Sequence, residues 1–494
     1  MAAIWEVLTA LLVGFLILDF IKLLWSSRHY PPGPIPLPFI GGLWRVGTKL
    51  SKDSFIKLGK QYGDIYTMWV WHHPVVVISG FRAMKESLID HSEDFADRPL
   101  STFLLAICKG KGIAFANGHT WKQQRRFSLS ALRKLGLGKN RMQHRIEEEA
   151  LRLVEIFART KGQPTDPSPF INNSVCNLIS LLSFGYRFSH EDAKFQSAMQ
   201  DLSNYMKFGG STFLLLYELF PWLMKYLPGL HQKVLASLER GMLLVKEEME
   251  KHKPDLALRE PQDFIDLYLL QIEQKQSEPN STFNYENMAH CILEFFAAGT
   301  DTTGSSLQWA LLLMVAYPDI QDKVYNEMEA VLGSSNSICY EDRWKLPYTH
   351  AVVHEILRSR YVLLFGIPRQ TKKNVNPCGL PIPKGTFIIP SFHSVLLDPK
   401  QWESPEEFNP SHFLDKDGNF MTREEFVAFG AGSRVCLGEH FARAEFFLFF
   451  TNLLRTFQFQ LPEGAKELSQ EPVVGITLHP QPFKFCAIPR CRST

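Results

Sequence analysis

The sequence predicts a mainly α-helical protein: one large helical domain with a small β-rich region, carried behind an N-terminal transmembrane helix. Three observations lead there. An apolar run of about 22 residues near the start is long enough, as a helix, to cross a bilayer. Helical periodicity then dominates from about residue 80 to about residue 360. Strand-type runs are confined to IYTMWVWHHPVVVISG, to LPIPKGTFIIP at 380–390 and to the C-terminal stretch.

The composition narrows the function classes. The chain is 45% hydrophobic and 21% charged with a formal net charge of +2, an ordinary globular balance with no bias toward nucleic acid. Its 494 residues exceed the roughly 250 to 300 at which single cores stop growing, so an undivided domain needs a reason such as a buried cofactor. There is no Gly-rich phosphate loop and no dinucleotide fingerprint, hence no visible site for NAD, flavin or ATP. Redox chemistry would have to draw electrons from a partner. The eight cysteines are scattered, without the close pairs of zinc or thiol redox sites, and most are expected to be small buried apolar residues in a reducing compartment. His72 and His73 beside Pro74 point to different sides of a hairpin and do not make a metal pair.

The apolar run is IWEVLTALLVGFLILDFIKLLW, Ile4 to Trp25, with Glu6, Asp19 and Lys22 near its ends. No small-residue cleavage site follows, so it reads as a retained signal anchor. Lys22 and Arg28 flank one side and Glu6 the other, which by the positive-inside rule places the large domain in the cytosol. The sequons at 172–174 and 280–282 are then expected to carry no glycan. Next comes YPPGPIPLPFIGG, residues 30–42, whose prolines forbid helix and central strand and make a stiff connector at a domain boundary. SFIKLGKQYG predicts a short helix before the hairpin, and GQPTDPSP at 162–169 and LPGL at 227–230 interrupt the helical runs that follow.

The longest helical pattern runs from about Glu286 to Tyr317 and stops at Pro318, about 45 Å at the α-helical rise. Both ends are apolar, yet the middle reads AAGTDTTG, 297–304. Gly299 and Gly304 weaken a helix by up to about 1 kcal/mol each relative to alanine. Thr300, Asp301, Thr302 and Thr303 bring polar groups into what should be core. Small residues let another group lie against the helix backbone, and an acid beside a hydroxyl can relay protons. A kinked helix with a solvated polar patch is the alternative.

Two further patterns follow. Glu355 and Arg358 in HEILR share a helix face and can pair; a surface ion pair is the default for so common a spacing. FGAGSRVCLG, 429–438, is far rarer, a pattern expected by chance in about one chain in ten thousand. Its glycines allow a tight loop with N–H groups aimed at the Cys436 sulfur, and a helix beginning near Glu439 adds its positive end. Both favour thiolate. Such a thiolate suits an axial metal ligand, or a nucleophile with His440 as base. The metal reading also accounts for the arginine, the glycines and the polar break in the long helix.

With anchor, proline connector, AGTDTT, Glu-x-x-Arg and the cysteine loop in this order, the sequence resembles a microsomal cytochrome P450, a haem-thiolate monooxygenase. Within that family it is similar to vertebrate family 2, through the PPGP connector, the WKQQRRF helix, the FNPSHFL segment and the sequence after the cysteine. The resemblance covers essentially the whole chain. It implies the cytochrome P450 fold, with residues 1–29 as anchor, 30–42 as connector and 43–494 as catalytic domain, and heme b with Cys436 as axial ligand. Gly430, Gly432 and Gly438 would shape the ligand loop. Trp121, Arg125, Arg98, Arg369 and Arg434 would hold the haem propionates, guanidinium groups being suited to bidentate carboxylate binding. Asp301 and Thr302 would be the acid-alcohol pair that delivers protons for O–O cleavage. Glu355 and Arg358 would secure the segment before the cysteine loop, with His412 as third member. The chain departs from the family 2 pattern at Ala428 and Leu364, usually proline, and at Ser433, usually Lys or Arg.

The resemblance also implies partners. Lys122, Arg126, Arg133, Lys134, Lys139 and Arg141 form a basic cluster where NADPH-cytochrome P450 reductase would dock, with cytochrome b5 as a second electron donor. Four pocket segments carry over: Phe103 and Ile107; Phe295, Phe296, Ala298 and Gly299; Leu363 and Leu364; and Ile476. Their apolar character implies a lipophilic substrate, a polyunsaturated fatty acid or a xenobiotic, with Lys109 and Lys111 available to a carboxylate. FLLLYELFPWLM, 213–224, would dip into the membrane or form a buried helix edge. The implied site of action is the endoplasmic reticulum membrane. A reductase-independent haem-thiolate isomerase and a non-enzymatic haem sensor are the alternatives; neither would need Asp301 and Thr302.

Overall fold

The computed structural model describes residues 2–45, 52–136, 140–189, 191–253, 260–333, 337–465 and 467–490. The N-terminal helix Ala2–Ser27 exposes nearly all its large apolar side chains and, among the described residues, is the one helix long and apolar enough to cross a bilayer. The polypeptide divides into two compact units.

The first unit comprises Met1–Pro99, Leu363–Pro405 and Glu424–Cys436. Its centre is a four-stranded sheet in the order β1-β2-β4-β3, built from β1 (Ile65–Val70), β2 (His73–Ile78), β3 (Arg369–Gln370) and β4 (Phe387–Pro390). The hairpin around His72 and His73 forms as expected, Val70 pairing with His73, and β4 then joins β2 in parallel. The proline connector is no free spacer. Thr67 of β1 donates its N–H to Pro32 O (2.9 Å) and its hydroxyl to Pro31 O (2.8 Å), and a Cβ on Gly33 would lie 1.9 Å from Thr67 O. Because proline lacks an N–H, this segment accepts bonds from the sheet edge through its carbonyls.

The second unit comprises Leu100–Val362, Glu406–Arg423 and Leu437–Thr494 and is mostly helical. Its axis is the helix Tyr285–Ala316, capped by the Asn284 side chain and ended by Pro318, close to the expected span. Helix Ser168–Phe184 lies against its middle, and helix Glu439–Thr456 begins directly after Gly438. Two antiparallel pairs complete the unit: β5 (Phe457–Gln460) with β8 (Cys486–Pro489), and β6 (Val473–Val474) with β7 (Leu478–His479).

Candidate haem site

The cysteine loop belongs to the first unit and is fixed mainly through backbone. Gly430 and Gly432 adopt φ of 79° and 70°, where L side chains are strained. A Cβ on Gly432 would meet Leu88 O at 1.6 Å, so the loop presses on the backbone of the π-turn Glu86–Asp90. Cys436 N–H closes the loop on Phe429 O at 2.9 Å. Gly438 is different: its φ of −93° suits any residue and open space surrounds it, so only two of the three expected glycines shape the loop. Ser433, where a basic residue was the family norm, donates its hydroxyl to Ser92 O at 3.2 Å and so adds one more tie.

Three buried arginines lace this unit together. Arg434 Nε donates to Ala96 O (2.8 Å), Arg98 to Ile367 O and Pro368 O (2.6 and 2.7 Å), and Arg369 to Ala431 O (2.8 Å). Each guanidinium has five N–H donors, and the carbonyl acceptors here are neutral. Three such groups around a loop bearing an exposed thiol form a donor set that fits an anionic porphyrin: carboxylates for the arginines, a metal for the sulfur. Burial pushes Cys108, Cys176 (to about 12) and Cys291 up and keeps them protonated, and partial burial with neighbouring Asp342 or Glu86 does the same to Cys339 and Cys378. The expectation that most cysteines are buried holds for these first three only; Cys378 and Cys436 are exposed, Cys339 and Cys486 half-buried, and Cys491 lies outside the described residues.

In the second unit, Trp121 and Arg125 sit one turn apart on helix Gly118–Lys134, Trp121 buried and Arg125 half-buried, while Lys122 and Arg126 occupy an exposed face. Arg133 and Lys134 are exposed at the helix end; Lys139 lies outside the described residues, as does the Arg141 side chain. Glu355 and Arg358 are fully buried, which overturns the default of a surface pair. They join through two bonds of 2.7 Å. Glu355 also accepts Asn409 N–H (2.9 Å) and contacts His412 Nδ1 (3.2 Å), and Arg358 donates to Glu407 O (3.1 Å). Beyond their mutual bonds, both residues are thus hydrogen-bonded to the 407–412 segment, and such further bonds make a buried ion pair tolerable.

The broken middle of the long helix has two sides. Gly299 and Gly304 do admit a neighbour, but that neighbour is helix Ser168–Phe184: added Cβ atoms would lie 2.5 Å from Ile179 Cδ1 and 2.5 Å from Asn172 Oδ1. The small residues serve helix packing there. Ala298, Asp301 and Thr302 fall on another side; Ala298 is exposed and the other two half-buried within a helix that is otherwise mostly buried from Thr300 onward. Thr302 Oγ1 donates to Ala298 O at 2.6 Å. Asp301 accepts a hydrogen bond from Thr477 Oγ1 and lies 3.3 Å from His479 Nε2. Neither partner was read from the sequence. They lie more than 170 residues away in a short hairpin without a motif, and nothing local could have marked them.

Phe103 and Ile107 pack with buried Phe208, the Phe103 ring 4.9 Å from that of Phe208. Phe295 and Phe296 set their rings against Phe264 (4.8 Å) and Phe184 (5.3 Å), within the helical core cluster. Ile476 bonds through its N–H to Met206 O (2.9 Å), while Leu363 and Leu364 are half-buried in the first unit. Lys111 forms an ion pair with Glu286, so it is already engaged by a carboxylate of the chain itself. The His440 ring lies against Tyr340 (5.9 Å) on its helix. Phe213, Phe220, Trp222 and Leu223 expose apolar surface, which corrects the reading of 213–224 as a buried edge.

Comparison with known proteins agrees with this constellation. Residues 31–487 match the family model described as Cytochrome P450. The chain is 39% identical to human cytochrome P450 2J2 over 99% of its own length and 98% of the relative's. It is equally similar, at 39%, to rat cytochrome P450 2C70 (94% and 96%) and to mouse cytochrome P450 2J5 (98% and 97%). A near full-length match to such proteins and an exposed thiol on a glycine loop have one explanation in common: the chain belongs to the cytochrome P450 family and is a haem-thiolate monooxygenase of the family 2 type.

Proposed function

We propose that Cys436 supplies the thiolate to the haem iron, and that the chain oxidises a lipophilic substrate with electrons from a partner reductase. One observation carries this: the Cys436 side chain is exposed on a loop whose backbone is set by left-handed glycines and by buried Arg369 and Arg434. Haem held there would supply the monooxygenase chemistry, in which one oxygen atom of O2 enters the substrate and the other leaves as water at the expense of two electrons and two protons. The protein's part is positional. Arg98, Arg369 and Arg434, with Trp121 and Arg125, would hold the propionates. The Asp301 carboxylate would take a proton from solvent and pass it toward the Thr302 hydroxyl, whose lone pairs stay available while it donates to Ala298 O. The Glu355, Arg358 and His412 cluster would keep the 407–412 segment in place.

The apolar segments around Phe103, Ala298, Leu364 and Ile476 support a lipophilic substrate, a polyunsaturated fatty acid or a xenobiotic. The exposed Lys122 and Arg126 support docking of an acidic NADPH-cytochrome P450 reductase, or of cytochrome b5, by electrostatic steering. The exposed apolar N-terminal helix supports an endoplasmic reticulum anchor over residues 1–29, with the catalytic domain, 43–494, cytosolic behind the 30–42 connector. The decisive experiment is the spectrum of the reduced protein with carbon monoxide. A strongly red-shifted Soret band is expected, and Cys436→Ser should abolish it; a wild type without that band refutes the proposal. Charge reversal of Lys122 and Arg126 should slow reduction by reductase at low salt and leave substrate binding intact.

A further inference from the structure

The hairpin β6–β7 brings a histidine onto the acid of the long helix. His479 Nε2 lies 3.3 Å from Asp301 Oδ2 and 2.9 Å from Thr477 Oγ1, and its Nδ1 lies 2.6 Å from Ser305 Oγ. Thr477 also donates to Asp301 directly. The hairpin is itself anchored, Leu478 O accepting the Trp309 indole N–H at 3.0 Å and Leu478 N–H donating to Val362 O at 2.9 Å. Two ring nitrogens, one carboxylate and two hydroxyls therefore form a continuous chain, with the Asp301 side chain 12% and the His479 side chain 25% exposed.

We propose that His479 is a positioning residue for Asp301, holding its carboxylate for the relay. The proposal rests on Asp301 and Thr302 acting as proposed above. With Ser305 Oγ donating to Nδ1, the ring carries its proton on Nε2, where it faces both Thr477 and Asp301. A carboxylate held by two donors keeps one rotamer. The ring keeps its Nε2–H throughout, since a neutral imidazole that gave it up would be left as an imidazolate; the relay's protons reach Asp301 from water, and the electrons come separately from the reductase. The order Ser305, His479, Asp301 mimics a hydrolytic triad, but Ser305 is fully buried and cannot receive a substrate. The groups facing His479 are Asp301 and Ser305 from the long helix and Thr477 from the hairpin. The adjoining segment contributes the Val362 carbonyl that accepts Leu478 N–H; Arg360, two residues earlier, is turned over the Trp309 ring and onto Gln470.

The test compares His479→Leu with His479→Gln, whose amide keeps an N–H donor. For His479→Leu, turnover should fall on the order of tenfold at unchanged KM, below the roughly hundredfold cost of a 1 Å misplacement, with the missing electrons recovered as hydrogen peroxide. His479→Gln should recover most of the loss. Unimpaired turnover in the leucine variant overturns the proposal, and so does equal impairment of both variants, which would mark a structural role. Independently of turnover, the reduced, CO-bound holoenzyme should show a slowly exchanging imidazole N–H proton by NMR that His479→Gln removes and Asp301→Asn shifts or removes. Its persistence unshifted in Asp301→Asn refutes the contact. If the same sample lacks the red-shifted Soret band, it is the haem-thiolate reading that has failed, whatever the N–H signal does.

Discussion

The cysteine loop and the middle of the long helix both place glycines at a candidate site, and the structure uses them in opposite ways. In the loop, Gly432 has a left-handed backbone and its missing Cβ is replaced by a main-chain oxygen, Leu88 O at 1.6 Å. In the helix, Gly299 and Gly304 have helical backbones and face side-chain atoms, Ile179 Cδ1 and Asn172 Oδ1, each at 2.5 Å. A backbone obstacle cannot move without dragging its segment along; a side chain can turn. The loop is therefore specified at the level of the main chain, and the helix middle at the level of packing.

That contrast can be broken most directly at Gly432. Gly432→Ala combines a strained φ with an impossible contact and should cost at least about 3 kcal/mol, read as loss of haem retention and a lowered Tm. A Gly432→Ala protein with normal haem content would remove the distinction altogether.

A charge held by side chains gives a second, smaller effect that is tunable by pH. Burial of His252 opposes its charge, but the hydrogen bond and charge of Asp263 prevail and hold it at about 9, above the usual 6.5. Because the folded-state value is raised, the stabilisation is full below about pH 6.5 and disappears as pH rises through about 9. His252→Gln should cost on the order of 2 kcal/mol at pH 6 and almost nothing at pH 10, by denaturant titration. A pH-independent difference would show that the ring packs without carrying charge.

At the helix glycines the effects are smaller again. Gly304→Ala should lose the Asn172 to Gln308 hydrogen bond (3.0 Å) at a cost of about 1 kcal/mol. Gly299→Ala gains up to about 1 kcal/mol of helix propensity against the displacement of Ile179, so its net change should be near zero. If Gly299→Ala proved as damaging as Gly432→Ala, the packing account of the helix would fall. The least perturbing test concerns topology. Asn172 is half-buried on a packed helix, where its Oδ1 accepts from Gln308, so Asn280, exposed in a loop, is the more accessible sequon for reporting orientation. No glycan at Asn280 in microsomes is the result expected for a cytosolic domain.

What the chain order alone determined is substantial: the apolar N-terminal helix, the hairpin, the span of the long helix, the cysteine loop and the family. These are local properties. An apolar run, a proline or a left-handed glycine constrains its own few residues through sterics and solvation, so the pattern is legible wherever it stands. Tertiary structure decided the rest. It buried Glu355 and Arg358 and gave them Asn409 and His412, assigned Gly299 and Gly304 to a neighbouring helix, stitched the proline connector to β1, and set His479 beside Asp301. Each of these depends on residues brought together only by folding. The physical reason is that a side chain's identity fixes which bonds it can make, whereas its partner is fixed by how distant elements pack, and the energy of that packing is spread over the whole core.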